Sequence, residues 1–185
     1  MAVVKEFRTA ADYWSGMVEP DYLDCMNNPA DLRAAFHAAI SLFHMHDWVW
    51  KTHEAAVQAI FTFTDKIGAT IKVHHNTSFA NALEQQYSDF GRVRGIANAA
   101  KHLELKSNNI RPVANAPSHA ANTSVQITGG GTGYNVGPGG YGVGAWSYAH
   151  GPRVVLAGPT DMEFSDVAKA VYEMWQQLRA AHGWW

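Results

Sequence analysis

Over residues 29–60 apolar side chains return at steps of three, four and seven: Leu32, Phe36, Ile40, Phe43, Trp50 and Val57. At 3.6 residues per turn these six share one face, which predicts a long amphipathic helix with a core-facing stripe. Asn28-Pro29-Ala30-Asp31 supplies the start signal. Asn28 is the expected cap, Pro29 suits the first turn, and Asp31 favours the positive end of the dipole. Two carboxylates interrupt the stripe. Asp47 falls four residues after Phe43 and three before Trp50; Glu54 falls four after Trp50 and three before Val57. Carboxylates on a core face are unfavourable unless paired, so a chain that folds this way must bring them partners.

The bases stand on a second predicted helix over 78–105, for which Asn76-Thr77-Ser78 offers capping side chains. Its stripe is Phe79, Leu83, Tyr87, Phe90 and Ala97, and Gly91 and Gly95 are expected to bend its middle. Arg94 lies four after Phe90 and three before Ala97, and Lys101 lies four after Ala97 and four before Leu105. Two acids seven apart on one helix thus face two bases seven apart on another. The expectation is a polar cluster of Asp47, Glu54, Arg94 and Lys101 in the seam, flanked by His46 and His53 on one side and Asn98 and His102 on the other. The leading reading is a buried ion-pair network that sets the register of two helices. The alternative is a polar pocket in which His102 acts as acid or base while Arg94 or Lys101 stabilises an anionic transition state.

The remaining segments complete a mainly α fold. Residues 9–18 predict a short helix ending before Pro20, with Tyr13, Trp14 and Met17 as its apolar side. Residues 61–73 alternate around a turn at Asp65-Lys66-Ile67-Gly68 and predict a hairpin. Residues 106–158 are irregular, with candidate strands at 110–113, 124–127 and 153–156. Nine glycines between Gly129 and Gly144 carry no phosphate-cradle motif and read as a loop. Interleaved Tyr134, Tyr141, Trp146 and Tyr148 are its candidates for a contact surface. Thr160-Asp161-Met162-Glu163 matches a capping box before a last helix with the stripe Phe164, Val167, Val171, Trp175 and Leu178. Trp184 and Trp185 read as an untethered tail, with a partner or dimer contact as the alternative. The expected architecture is a helical bundle of three principal helices plus a short N-terminal helix, with a small β-rich, Gly-rich insertion before the last helix, all in one domain over 1–185.

Composition narrows the function. A net charge of -2 gives no global basic field for nucleic acid or acidic membranes. The single cysteine, Cys25, excludes an internal disulfide and a cysteine zinc cage. No secretory leader or membrane-length apolar run is evident, which predicts a soluble, cytoplasmic protein with no membrane partner. Ten histidines invite a metal, yet no His-x-x-x-His pair exists; if a site forms, His46, His53 and His102 are the set that can converge. No cofactor is expected.

The stretch Arg94-Gly-Ile-Ala-Asn98-Ala-Ala-Lys101-His102, preceded by Asp47-Trp48, resembles a motif pair of uncharacterised bacterial helical proteins. More distantly it resembles HEPN domains, helical bundles that include metal-independent ribonucleases. That likeness implies Arg94 as phosphate-binding residue, His102 as acid/base, Asn98 beside them, RNA as substrate and a dimer. The family pattern places a polar residue after the arginine and four to six residues before the histidine. Here Gly95 follows Arg94 and seven residues intervene. The expected role is a non-enzymatic binding or interaction protein, with the ribonuclease and the His-rich metal protein as alternatives.

Overall fold

The computed structural model describes residues 6–65, 67–100, 123–127, 152–157 and 161–185. Lys101, His102, the candidate strand at 110–113, the Gly-rich stretch with its aromatic residues, and Thr160 lie outside the described residues.

The chain is mainly helical, with small antiparallel sheets. Helix α1 (Ala10–Tyr13) opens on a capping box between Thr9 and Asp12, and runs through a π-helical turn (Trp14–Val18) into α2 (Glu19–Asn27). The expected stop before Pro20 does not occur. Pro20 cannot donate to the helical ladder, and the wider turn, closed by Glu19 N–H to the Trp14 carbonyl, lets the helix pass it. Asn28 does not cap the next helix; its amide donates to the Asp24 carbonyl (3.1 Å) and carboxylate (2.8 Å). Asp31 is the cap, accepting from Arg33 N–H at 2.8 Å, and α3 runs Leu32–Ile60.

Helix α3 buries a face rotated from the expected stripe. Ala35, Ala38, Leu42, Met45 and Val49 are essentially inaccessible; of the expected stripe Phe43 and Val57 are buried, whereas Leu32, Phe36, Ile40 and Trp50 pack at the margin. Small residues on the buried face let other helices approach closely, and the large side chains wrap the flanks. The helix also bends. The Thr52 hydroxyl donates back to the Trp48 carbonyl, and His53 leaves helical geometry (φ -135, ψ 29). Such a back-bond competes with the ladder and bends helices.

The hairpin forms as expected: β1 (Thr62–Thr64) pairs antiparallel with β2 (Thr70–Lys72). In the turn Asp65 Oδ1 accepts from Ile67 and Ala69 N–H, and Gly68 takes the left-handed φ of +85 that favours glycine. The second long helix is two helices, α4 (Asn76–Gln86) and α5 (Ser88–Ala99). They are broken at extended Tyr87 (φ -132, ψ 98), not bent at Gly91 or Gly95, which sit buried in α5. The cap of α4 is His75, whose ring nitrogen accepts Ser78 N–H at 2.9 Å.

Strands β3 (Thr123–Ile127), β4 (Pro152–Leu156) and β5 (Met162–Glu163) form an antiparallel sheet in that order. Met162 and Glu163 are therefore strand, and α6 (Phe164–His182) starts without a side-chain cap. Its five stripe residues are all buried. Trp175 meets Phe79 and Phe90 edge-on and donates its indole N–H to the Leu42 carbonyl at 3.0 Å, which anchors α6 to α3. The terminal tryptophans are not an untethered tail. Gly183 turns the chain with φ +62; Trp184 is then buried against Phe61 and Phe79, and Trp185 packs on Trp14 and Trp175.

Candidate functional site

The structure divides the expected charge cluster into two adjoining stations. At the first, Asp47 on α3 accepts from His44 Nδ1 (2.8 Å), one turn earlier on the same helix, and from the Asn76 amide at the start of α4 (2.9 Å). His46 Nε2 stands 3.3 Å from Asp47 Oδ1. The Asp47 side chain keeps 37% of its exposure and His44 30%, whereas His46 keeps 5%. Burial pushes the Asp47 carboxyl upward, but the His44 and Asn76 hydrogen bonds and the charge of His46 outweigh it, and its pKa lies below the ordinary value.

His46 lies between opposed influences. Its Nδ1 is 2.6 Å from the Phe43 carbonyl, an acceptor only, so that nitrogen carries the proton. Its ring is packed against Phe43 and Phe90. Burial depresses its pKa, Arg94 and His44 add to that, and Asp47 and the Phe43 carbonyl oppose it; the net shift is downward. The neutral ring is favoured even though its second nitrogen faces a carboxylate.

The second station is Arg94 on α5. One guanidinium nitrogen donates to Glu84 Oε2 at 3.0 Å and to Asn81 Oδ1 at 2.8 Å, both on α4. Arg94 and Glu84 are each 9% exposed. The guanidinium also lies 5.9 Å from the centre of the Phe43 ring, the side chain against which His46 packs, so aromatic faces separate the two stations.

The four expected members thus do not form one seam. Asp47 is satisfied by His44 and Asn76 rather than by Arg94. Glu54 is exposed and takes the Gln58 amide at 3.0 Å, because the bend at His53 turns it away from the buried face. Lys101 lies outside the described residues. Of the proposed catalytic set, Arg94 is sealed, Asn98 is half-buried one turn beyond it, and His102 lies outside the described residues. For the metal set, His46 packs on Phe43 and Phe90 while His53 stacks on Trp184 at 6.2 Å. Among the described residues no group of three His, Cys, Asp or Glu side chains can hold a metal ion.

No protein-family model, characterised protein or solved structure matches the chain. Sequence reasoning missed Glu84, Asn81, His44 and Asn76. The i,i+3 spacing of His44 and Asp47 was a usable signal. Glu84 and Arg94, ten apart, lie about 15 Å apart and on different faces of an unbroken helix, so only the break at Tyr87 unites them. No helix among the described residues is long and apolar enough to cross a membrane. Cys25 is buried, and burial pushes its thiol up to about 12, which keeps it protonated and unreactive.

Proposed function

We propose that this chain is a non-enzymatic binding or interaction protein of the cytoplasm, in which the arginine that a nuclease would use is a structural keystone. One observation carries the reading. Arg94 is enclosed and already neutralised by Glu84, with Asn81 filling a second donor position. A phosphate would have to displace a buried carboxylate to reach it. The chain's one cysteine, kept as a buried thiol, suits a reducing compartment. The Gly-rich stretch, whose interleaved aromatic residues are candidates for a contact surface, lies outside the described residues, so the reading rests on Arg94.

Incubation of the pure protein with mixed RNA and EDTA tests it. Intact RNA is expected. Cleavage that disappears in Arg94→Lys, with an unchanged thermal melt, overturns the reading in favour of a HEPN-like ribonuclease using Arg94, Asn98 and His102.

A further inference from the structure

The two edges of the β1–β2 hairpin are treated differently by the rest of the fold. Val73 N–H bonds the Phe61 carbonyl (3.2 Å) and Asp65 N–H bonds the Ala69 carbonyl (2.9 Å). Hydrogen-bonded pairs alternate along an antiparallel ladder, so Phe63–Ile71 is the bonded pair between them. Thr62–Lys72 and Thr64–Thr70 are then the pairs whose backbone groups point out of the hairpin.

On the β1 side that outward edge is closed. The Gln85 side-chain amide of α4 accepts Thr64 N–H and donates to the Thr64 carbonyl, each at 2.7 Å, in the manner of an adjoining strand. On the β2 side, the Lys72 carbonyl accepts from His74 Nδ1 (3.2 Å) and retains a second lone pair. The Thr70 N–H, the Thr70 carbonyl and the Lys72 N–H have no partner among the described residues. Beside this open edge Ile71 is 37% exposed and Ile67, in the turn, is 89% exposed.

We infer that β2 is a strand-addition edge whose occupant is β2 of a second copy of this chain, paired antiparallel about Ile71. The three-residue strand is self-complementary in that register. Thr70 lies opposite Lys72 of the second copy and exchanges both backbone hydrogen bonds with it, and the two-fold repeats the exchange, giving four bonds. Ile71 lies opposite Ile71 of the second copy in the closer, non-bonded type of pair. The row Phe63–Ile71 is thereby continued on one face by Ile71 and Phe63 of the second copy. No lysine lies directly opposite another; the two Lys72 side chains are diagonal, about 7–8 Å apart, where salt screens them. A foreign strand would have to place an apolar residue opposite Ile71, which this chain supplies itself. The inference rests on the hairpin and is independent of the Arg94 reading.

Sedimentation of the full chain from about 10 µM to about 1 mM covers the range in which an interface below ~1,200 Å² associates. The expected result is a rise towards twice the chain mass, strengthened by salt. Thr70→Pro removes an outward N–H that the hairpin itself does not use, and proline is tolerated at such edge positions. It is expected to raise the dissociation constant at least about tenfold with the far-ultraviolet circular dichroism unchanged. In the unaltered chain, amide exchange at Thr70 and Lys72 should slow as concentration rises. A monomer throughout, or a dimer indifferent to Thr70→Pro, overturns the inference. Protection of those amides at every concentration also overturns it, and assigns the edge to another segment of the same chain. Rapid exchange at every concentration overturns it too, and leaves the edge for a strand of another protein.

Discussion

Asp47 and Glu54 stand seven residues apart on one helix, with the same relation to their apolar neighbours, and the fold gives them opposite surroundings. Asp47 is half-buried and held by His44 and Asn76; Glu54 is in water beside Gln58. The difference lies between them. The bend at Thr52 and His53 ends the register that makes i and i+7 equivalent, so the last two turns of α3 present a new face. A sequence pattern predicts a shared environment only as far as the backbone stays regular.

The largest expected effect falls on the station behind Asp47. Arg94→Ala breaks the buried pair with Glu84 and should lower stability by about 3–5 kcal/mol in urea denaturation. A loss below about 1 kcal/mol would mean that Glu84 finds water or another base. Asp47→Ala should cost less, about 1–3 kcal/mol, because its donors are partly wet and can be hydrated. A loss as small as that of Glu54→Ala would erase the contrast between the two positions.

Acid titration sharpens the same contrast. His46 is held below its ordinary 6.5, so the unfolded chain takes up its proton first and stability falls as pH drops through that value. Asp47 is held below 3.8; its contribution is complete above that value and is lost as pH falls through the depressed folded pKa. Thermal melts between about pH 7.5 and about pH 5 should show the first loss, and His46→Gln should make the slope shallower; an unchanged slope assigns it to other histidines. Glu54→Ala gives the smallest effect, within about 0.5 kcal/mol, since an exposed carboxylate bonded to Gln58 exchanges one hydrogen bond for water.

Much of the fold was legible in local pattern. The hairpin, the stripe of α6 and the existence of α3 follow from periodicity and turn chemistry, and Gly68 stands where the turn needs a left-handed residue. The errors share a cause. Rules that consider only neighbours in sequence make Pro20 a stop, Asn28 a cap, residues 78–105 one helix and 160–163 a capping box. In the structure a π-helical turn carries the chain past Pro20, Asp31 takes the cap, Tyr87 breaks the helix, and pairing with β4 draws Met162 and Glu163 into a strand. Of the site, Asp47 and Arg94 were identified as anomalous but joined to the wrong partners. Asn76, Asn81 and Glu84 lie on α4, whose angles to α3 and α5 no spacing rule contains.

The amino-acid sequence alone determined that this chain is mostly helical, which face α6 buries, and that Asp47 and Arg94 need partners. Hydrophobic periodicity and capping preferences are local, and they survive whatever the helices later pack against. Tertiary structure decided which partner each charge received. Where a backbone breaks at Tyr87 or bends at His53 depends on how Phe79, Phe90, Trp175 and Trp184 fill a common core. Packing of that kind is settled only when all the elements meet.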